Sequence, residues 1–203
     1  MDHEMFKPHS DKVWEHVRGK FFINRRFILS VGGSKPHKNA KATLGAFELL
    51  SQKEDLDLVF AGKINENKPN EDIRKLISDK PRLKDRVHFL GYVEDLDLVH
   101  LYRSAEMLAF PSFYEGFGIP PLEAMGCGCP VIVSNAASLP EICGDAALYV
   151  DPHSCEELAS AMQKILHDPV LRRIQVEKGL KVVESFQWKK SAHEHLRVIE
   201  GMI

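Results

Sequence analysis

The chain has 203 residues, 44% of them hydrophobic and 28% charged, a balance that excludes a fibre and a disordered tail. A folded chain of this size buries roughly 70% of its unfolded surface, so no disulfide or structural metal is required to hold it together. The 27 Lys and Arg stand against 29 Asp and Glu, a formal net charge of -2, and the ten His are scattered along the sequence; both facts argue against a nucleic-acid binder with a broad basic surface. Apolar runs such as Met107–Phe110 and Pro130–Val133 fall far short of the roughly 20 residues of a spanning helix. The charged opening Asp2-His3-Glu4-Met5-Phe6-Lys7-Pro8 lacks the apolar stretch of an export signal, so a cytoplasmic location is expected. Cys127, Cys129, Cys143 and Cys155 show neither Cys-x-x-Cys nor zinc-finger spacing and are expected as free thiols.

In chain order, residues 1–25 read as a lead-in segment. From Arg26 onward, short β-branched or aromatic runs alternate with longer runs of helical period, the pattern of βαβ units in a parallel sheet. The expected strands are Phe27–Val31, Leu56–Ala61, Val87–Leu90, Met107–Phe110, Pro130–Val133 and Ala147–Val150. Between them Ala40–Leu50, Glu71–Ser78, Asp95–Arg103 and Pro120–Met125 repeat apolar residues every three or four positions and are expected as helices. The polar stretch Asn65–Asn70 reads as a surface turn. After Asp151-Pro152-His153-Ser154 come three helical patterns, Cys155–His167, Pro169–Ser185 and Trp188–Met202. The fold class is therefore α/β: a Rossmann-like parallel sheet of about six strands, helices on both faces, and extra helices at the C-terminus.

In such a sheet a ligand lies outside the carboxyl ends of the strands, which directs attention to the loops. After the first strand, Gly32 and Gly33 permit a close backbone approach, and Lys35 and Lys38 bring cations to the next helix, an arrangement suited to a diphosphate. The spacing is neither Gly-x-Gly-x-x-Gly nor the P-loop pattern, and an exposed turn with solvated lysines would explain the same residues. Glu115-Gly116-Phe117-Gly118-Ile119-Pro120-Pro121-Leu122-Glu123 is more informative. Paired prolines mark a helix start, the glycines clear its approach, and the helix is expected to present free N–H groups to an anionic or hydroxyl-rich ligand. An ionised carboxylate offers two oxygens to neighbouring sugar hydroxyls. A helix-dipole role would account for Glu123 alone, but not for Glu115 and the glycines.

Pro111-Ser112-Phe113-Tyr114-Glu115-Gly116-Phe117-Gly118, followed by Glu123-Ala124-Met125-Gly126-Cys127-Gly128-Cys129-Pro130-Val131-Ile132, resembles the signature of retaining glycosyltransferase family 4, whose members have the GT-B fold. The likeness continues through Ser138-Leu139-Pro140-Glu141-Ile142, Gly144-Asp145-Ala146-Ala147 and Val150-Asp151-Pro152, and back through Phe89-Leu90-Gly91-Tyr92-Val93 to Val31-Gly32 and Lys38-Asn39. The resemblance implies that Glu115 faces the donor sugar and Glu123 the ribose hydroxyls. It further implies that Lys38 and the N–H groups of Gly116, Phe117 and Gly118 cradle the pyrophosphate, with Tyr92 and Val93 flanking the base. Glu115 and Lys38 would be the catalytic pair. The family usually adds an arginine in the first loop; here Gly33, Ser34 and His37 occupy the candidate positions, and Lys35 supplies a point charge without a bidentate fork.

The same resemblance implies one half of a GT-B enzyme: a nucleotide-sugar-binding domain over residues 26–185, a return helix in 186–203, and an acceptor-binding N-terminal domain absent from this chain. The expected activity is transfer of a hexose, mannose or glucose, from a nucleoside diphosphate sugar to a hydroxyl acceptor, with GDP-mannose favoured over a UDP-hexose. No metal or further cofactor is expected, since no Asp-x-Asp stands in a strand-end loop and Asp95-Leu96-Asp97 reads as a charged helix start. Phe21-Phe22-Ile23 beside Arg25 and Arg26 admits peripheral contact with the inner membrane face through a lipid-linked acceptor, although a hydrophobic lead-in to the first strand is the simpler account. The alternative function is a non-catalytic nucleotide-binding or partner subunit that docks to a separate acceptor-binding chain.

Overall fold

The strands Phe27–Val31 (β1), Asp57–Ala61 (β2), Val87–Gly91 (β3), Met107–Phe110 (β4), Val131–Ser134 (β5) and Ala147–Val150 (β6) pair into one sheet of order β3-β2-β1-β4-β5-β6. Every pairing is parallel. The structure is a computed structural model and describes residues 2–8, 13–32, 35–62 and 71–202, the side chains of Glu71 and Asp72 excepted. Gly33, Ser34, Lys63 and the expected turn Asn65–Asn70 lie outside the described residues.

The strands are almost continuously apolar because helices cover both faces of the sheet. On one face Ile28, Leu58, Phe60, Met107 and Ile132 pack against Ala40–Ser51 (α2), Glu71–Ser78 (α3), Pro81–Lys84 (α4) and Cys155–His167 (α8). On the other, the alternate strand residues Phe27, Leu29, Val59, Leu108, Phe110, Val131 and Val133 meet Val13–Phe21 (α1), Asp95–Ser104 (α5), Ile119–Gly126 (α6), Leu139–Cys143 (α7) and Pro169–Glu184 (α9). Successive strand side chains point to opposite faces, which gives the two layers their separate membership. Trp188–Glu200 (α10) closes the described chain and buries none of its residues.

Helix α1 is an addition to the expected elements, since residues 1–25 read as a lead-in. Trp14, Val17 and Phe21 share one helical face: Trp14 stacks on Phe27 with ring centroids 6.2 Å apart, and Val17 is fully buried. The fifth expected strand, Pro130–Val133, moves by one residue to Val131–Ser134, and Pro130 O accepts from the Leu108 N–H at 2.9 Å. Proline has no N–H to give the ladder, so it sits at the strand's entrance.

The fold positions a site through its strand order. β1 lies between β2 and β4, so the chain winds outward in both directions from the β1–β4 boundary. These two strands pair over Ile28 with Met107 and Leu29 with Leu108. The loops leaving their carboxyl ends diverge to opposite faces and leave a crevice between them, the usual ligand position of an open parallel sheet.

Candidate active site

The loop after β1 reaches the crevice through a 3-10 turn, Pro36–Lys38, and ends on Asn39, which caps α2. Asn39 is in the left-handed region with φ 55°, where Asn is among the few non-glycine residues tolerated. Its buried amide donates to Pro111 O at 3.0 Å and Pro152 O at 2.6 Å, and its carbonyl oxygen accepts from Ala42 N–H. One side chain thus ties together the loops after β1, β4 and β6. The Phe113 N–H adds a bond to His37 O at 2.8 Å.

Lys38 and Glu115 meet across this crevice. Lys38 Nζ stands 2.8 Å from Glu115 Oε1, and both side chains are nearly enclosed, at 13% and 11% exposed. The ammonium is the charge partner of Oε1, which is itself buried. Lys38 Nζ also lies 4.4 Å from the centroid of the Phe110 ring, a cation–π distance. Gly32 is required by this arrangement: its φ is +119°, and a Cβ there would stand 2.8 Å from Lys38 Cδ and Cε. The glycine makes room for the lysine stem.

The loop from Glu115 to Gly118 is held from below by Ser138, whose hydroxyl lies 2.9 Å from both Glu115 O and Phe117 O. Gly118 has φ +109°, and a Cβ there would meet Leu139 Cδ2 at 2.9 Å. Among the described residues, none accepts from the N–H groups of Gly116, Phe117 or Gly118. Helix α6 begins at Ile119 and carries Pro120 and Pro121 in its first turn. Since proline has no N–H, that turn offers fewer donors than a helix start normally does. The helix start therefore presents fewer free N–H groups than expected, and the N–H groups of Gly116, Phe117 and Gly118 immediately precede it.

Glu123 is the fifth residue of α6, beyond its first turn, so the helix-dipole explanation does not apply. Its Oε2 accepts from the Tyr102 hydroxyl at 3.0 Å. Burial pushes the Glu123 carboxyl above its ordinary range, while the tyrosine hydrogen bond acts in the opposite direction. Tyr92 is exposed and Val93 half-buried at the end of β3, next to Gly91 with φ +69°. Lys35 precedes the 3-10 turn and is exposed. Gly32, Lys38, Glu115, Gly116, Phe117 and Gly118 belong to the loops leaving β1 and β4, and Glu123 lies on α6, the helix that follows the second of them. Gly33 is outside the described residues.

Three contributors were not singled out by chemistry in the sequence. Asn39 had a signal, a capping residue before a helical run. Ser138 precedes α7 but makes no side-chain capping bond to it, serving the Glu115 loop instead. Tyr102 lies one helix earlier and carries no motif. The histidines are also less scattered than their spacing suggests: His16, Asp97 and His100 place their ligand-type atoms within 4.8 Å of one another, with Lys20 Nζ 2.6 Å from Asp97 Oδ2. The four cysteines are free. Burial pushes the thiols of Cys127 and Cys143 up to about 12, which leaves them protonated and unreactive at neutral pH.

A family model for glycosyl transferases group 1 matches residues 15–182. The chain belongs to this family. Among the relatives of this glycosyl transferase chain, the Escherichia coli O-antigen chain mannosyltransferase B is 36% identical over 165 residues, covering 80% of this chain and 42% of the relative. The sucrose-phosphate synthase of Thermosynechococcus elongatus superimposes with a TM-score of 0.83 at 27% identity, over 100% of this chain and 51% of that one. Anabaena HepE in complex with UDP-glucose superimposes with a TM-score of 0.86 at 18% identity, over 100% of this chain and 56% of that one, which shows the shared GT-B fold. The glycosyl transferase chain therefore spans about half the length of the proteins it matches.

Proposed function

We propose that this chain is the donor-binding half of a retaining hexosyltransferase, which moves a sugar from a nucleoside diphosphate to a hydroxyl acceptor. The observation that carries the reading is the enclosed Lys38–Glu115 pair at the β1–β4 crevice, with Glu123 one helical turn further along α6. Lys38 and the N–H groups of Gly116, Phe117 and Gly118 supply positive charge for a diphosphate. Glu115 and Glu123 supply acceptors for hydroxyls of the sugar and the ribose, and Tyr92 and Val93 flank the base. When the bond from C1 to the diphosphate breaks and the acceptor oxygen bonds to C1, negative charge grows on the leaving phosphate. Lys38 and the loop amides stabilise it, and the acceptor's proton passes to the leaving phosphate oxygen as the new bond forms.

The mannosyltransferases among the relatives support a mannosyl donor, for which GDP-mannose is our first choice, and the UDP-glucose complex of a structural neighbour makes a UDP-hexose the second. A metal is not part of this scheme, because lysine and backbone amides provide the charge. An acceptor-binding domain completes the enzyme. Its docking surface on this half includes an apolar groove of about 450 Å³ lined by Phe117, Ile119, Leu122, Phe186 and Trp188, which lies beside the Glu115 loop. The complete enzyme works in the cytoplasm, at the inner membrane face when its acceptor is lipid-linked; no described helix is long and apolar enough to cross a membrane.

Thermal unfolding with GDP, UDP, ADP and their sugar conjugates tests the reading. Ligand at 100 times its Kd adds about 2.7 kcal/mol, a rise of about 5–10 °C for a chain of this size. A rise with one nucleotide family that Lys38→Ala and Glu123→Gln both diminish supports donor binding. Unchanged midpoints with every nucleotide would favour the non-catalytic partner subunit.

A further inference from the structure

One fully enclosed polar side chain near the site is marked by no motif. Tyr102 is 0% exposed, and Phe6 packs against its ring with centroids 6.4 Å apart. It belongs to the apolar layer formed with Val99, Leu101 and Leu122. A buried phenol needs a partner for its O–H, and the partner here is Glu123 Oε2 at 3.0 Å. The donor is fixed by packing, whereas the acceptor is the end of a flexible side chain.

We propose that Tyr102 is a positioning residue for donor binding: its buried hydroxyl holds one oxygen of Glu123, fixing the carboxylate plane and leaving Oε1 to accept from the ligand's ribose diol. This rests on the reading of Glu123 as the ribose-binding carboxylate. Glutamate has three side-chain torsions, and each one left free must be ordered when ligand binds. Anchoring Oε2 to a fixed point removes most of that freedom beforehand. A carboxylate oxygen has two lone pairs, so the tyrosine bond still leaves the group able to accept from two adjacent hydroxyls.

The hydroxyl has a second effect, on ionisation. Burial and the nearby Asp95 of α5 push the Glu123 carboxyl up, and the Tyr102 hydrogen bond holds it down. Cys127, at the end of α6, remains a neutral thiol. Burial and Glu123 push the phenol of Tyr102 well above its ordinary value, so it stays a donor. Only ionised Glu123 accepts from both hydroxyls of a diol. Nucleotide affinity is thus present above the folded pKa of Glu123 and lost as pH falls through it. Without the tyrosine hydroxyl that pKa rises, and the loss begins at a higher pH.

The experiment is a titration of the wild-type chain, Tyr102→Phe, Glu123→Gln and the double variant with GDP-mannose and with UDP-glucose, at a series of pH values running from neutral down through the titration of the carboxyl. Tyr102→Phe is expected to bind about five- to tenfold more weakly at neutral pH, with the acid-side loss displaced to higher pH. Glu123→Gln is expected to bind weakly with that displacement abolished, and the double variant no worse than Glu123→Gln alone. Carbon-13 NMR of the Glu123 carboxyl in the unliganded chain reads the same rise in Tyr102→Phe without any ligand. A lowered unfolding midpoint in Tyr102→Phe, with the carboxyl titration and the affinity both unchanged while Glu123→Gln weakens binding, would make Tyr102 a packing residue and overturn the proposal. If Glu123→Gln also binds normally, the ribose reading of Glu123 falls and takes the proposal with it.

Discussion

The two faces of the sheet are built differently. Between the sheet and α2, α3, α4 and α8 the buried layer is dominated by aliphatic and aromatic side chains, with Phe47, Leu50, Leu56 and Met162 in it and the buried Thr43 of α2 beside them. The layer under α1, α5 and α6 contains Tyr102 and three buried thiols, and it borders Glu123, Asp97 and the ends of the Gly32 and Glu115 loops. Burying polar groups costs free energy unless each finds a partner, so polar content concentrates where it serves something. One face supplies stability with little consequence for the crevice. The other trades some apolar packing for a carboxylate held at a set position.

The sharpest test of that contrast is Phe47→Ala. Phe47 is 0% exposed and faces away from the crevice, so the cavity is expected to lower stability by about 3–5 kcal/mol. Nucleotide affinity of the remaining folded protein should be unchanged. Chemical denaturation, followed by a titration well below the unfolding midpoint, separates the two effects. A Phe47→Ala chain that folds but binds nucleotide far more weakly would break the division between faces.

Gly118→Ala comes next in size and belongs to the other face. The positive φ and the 2.9 Å approach of Leu139 Cδ2 to a Cβ are expected to cost about 1–3 kcal/mol. Here affinity should fall more than stability explains, because relieving the clash moves the loop that carries Glu115 and its free N–H groups. Calorimetric titration beside thermal unfolding checks the proportion.

The same division explains what could be read beforehand. The strands and most helices were legible because apolar periodicity is a local property, and the Glu115–Glu123 stretch because its glycines and prolines are local punctuation. Helix α1 was obscured by its polar residues: only Trp14, Val17 and Phe21 mark the buried face. Tyr102 was illegible for another reason. Its partner Glu123 is 21 residues away, and an aromatic residue on an amphipathic helix reads as core until the structure shows what its hydroxyl meets. The tie from Asn39 to Pro111 and Pro152 is longer still. Long-range polar contacts leave no periodic trace, and the crevice depends on several of them.

A smaller effect is expected at the junction of α1 and α5. Asp97 is 7% exposed and bonds to His16 Nε2 at 2.9 Å and Lys20 Nζ at 2.6 Å. Burial alone would raise its pKa, but these two partners outweigh it and hold the carboxyl below its ordinary 3.8. The unfolded chain then takes up the proton first as pH falls, so this contribution is present above 3.8 and lost below it. His100 is lowered by burial and by His16, which adds a loss that begins as pH falls through the ordinary histidine value. Since His16 and Lys20 are about half exposed, Asp97→Asn is expected to cost only about 1 kcal/mol at neutral pH. Stability measured against pH should fall less steeply in the variant at the acid end, while nucleotide affinity stays as it was.

The smallest effect is expected on α10, although its sequence is strongly amphipathic. Leu196, Val198 and Ile199 are 56%, 61% and 56% exposed, and stabilisation follows apolar area removed from water, not apolar character. Leu196→Glu should therefore change the stability of this chain by no more than about 0.5 kcal/mol. In the complete enzyme the same substitution is expected to matter if the acceptor-binding domain covers this helix, because the new charge would then be buried without a partner. Unfolding of both forms, with and without the substitution, measures the difference directly. An equal and large loss in the isolated chain would mean that α10 already packs here, and that the apolar groove beside Phe117 and Trp188 is part of this half's own core.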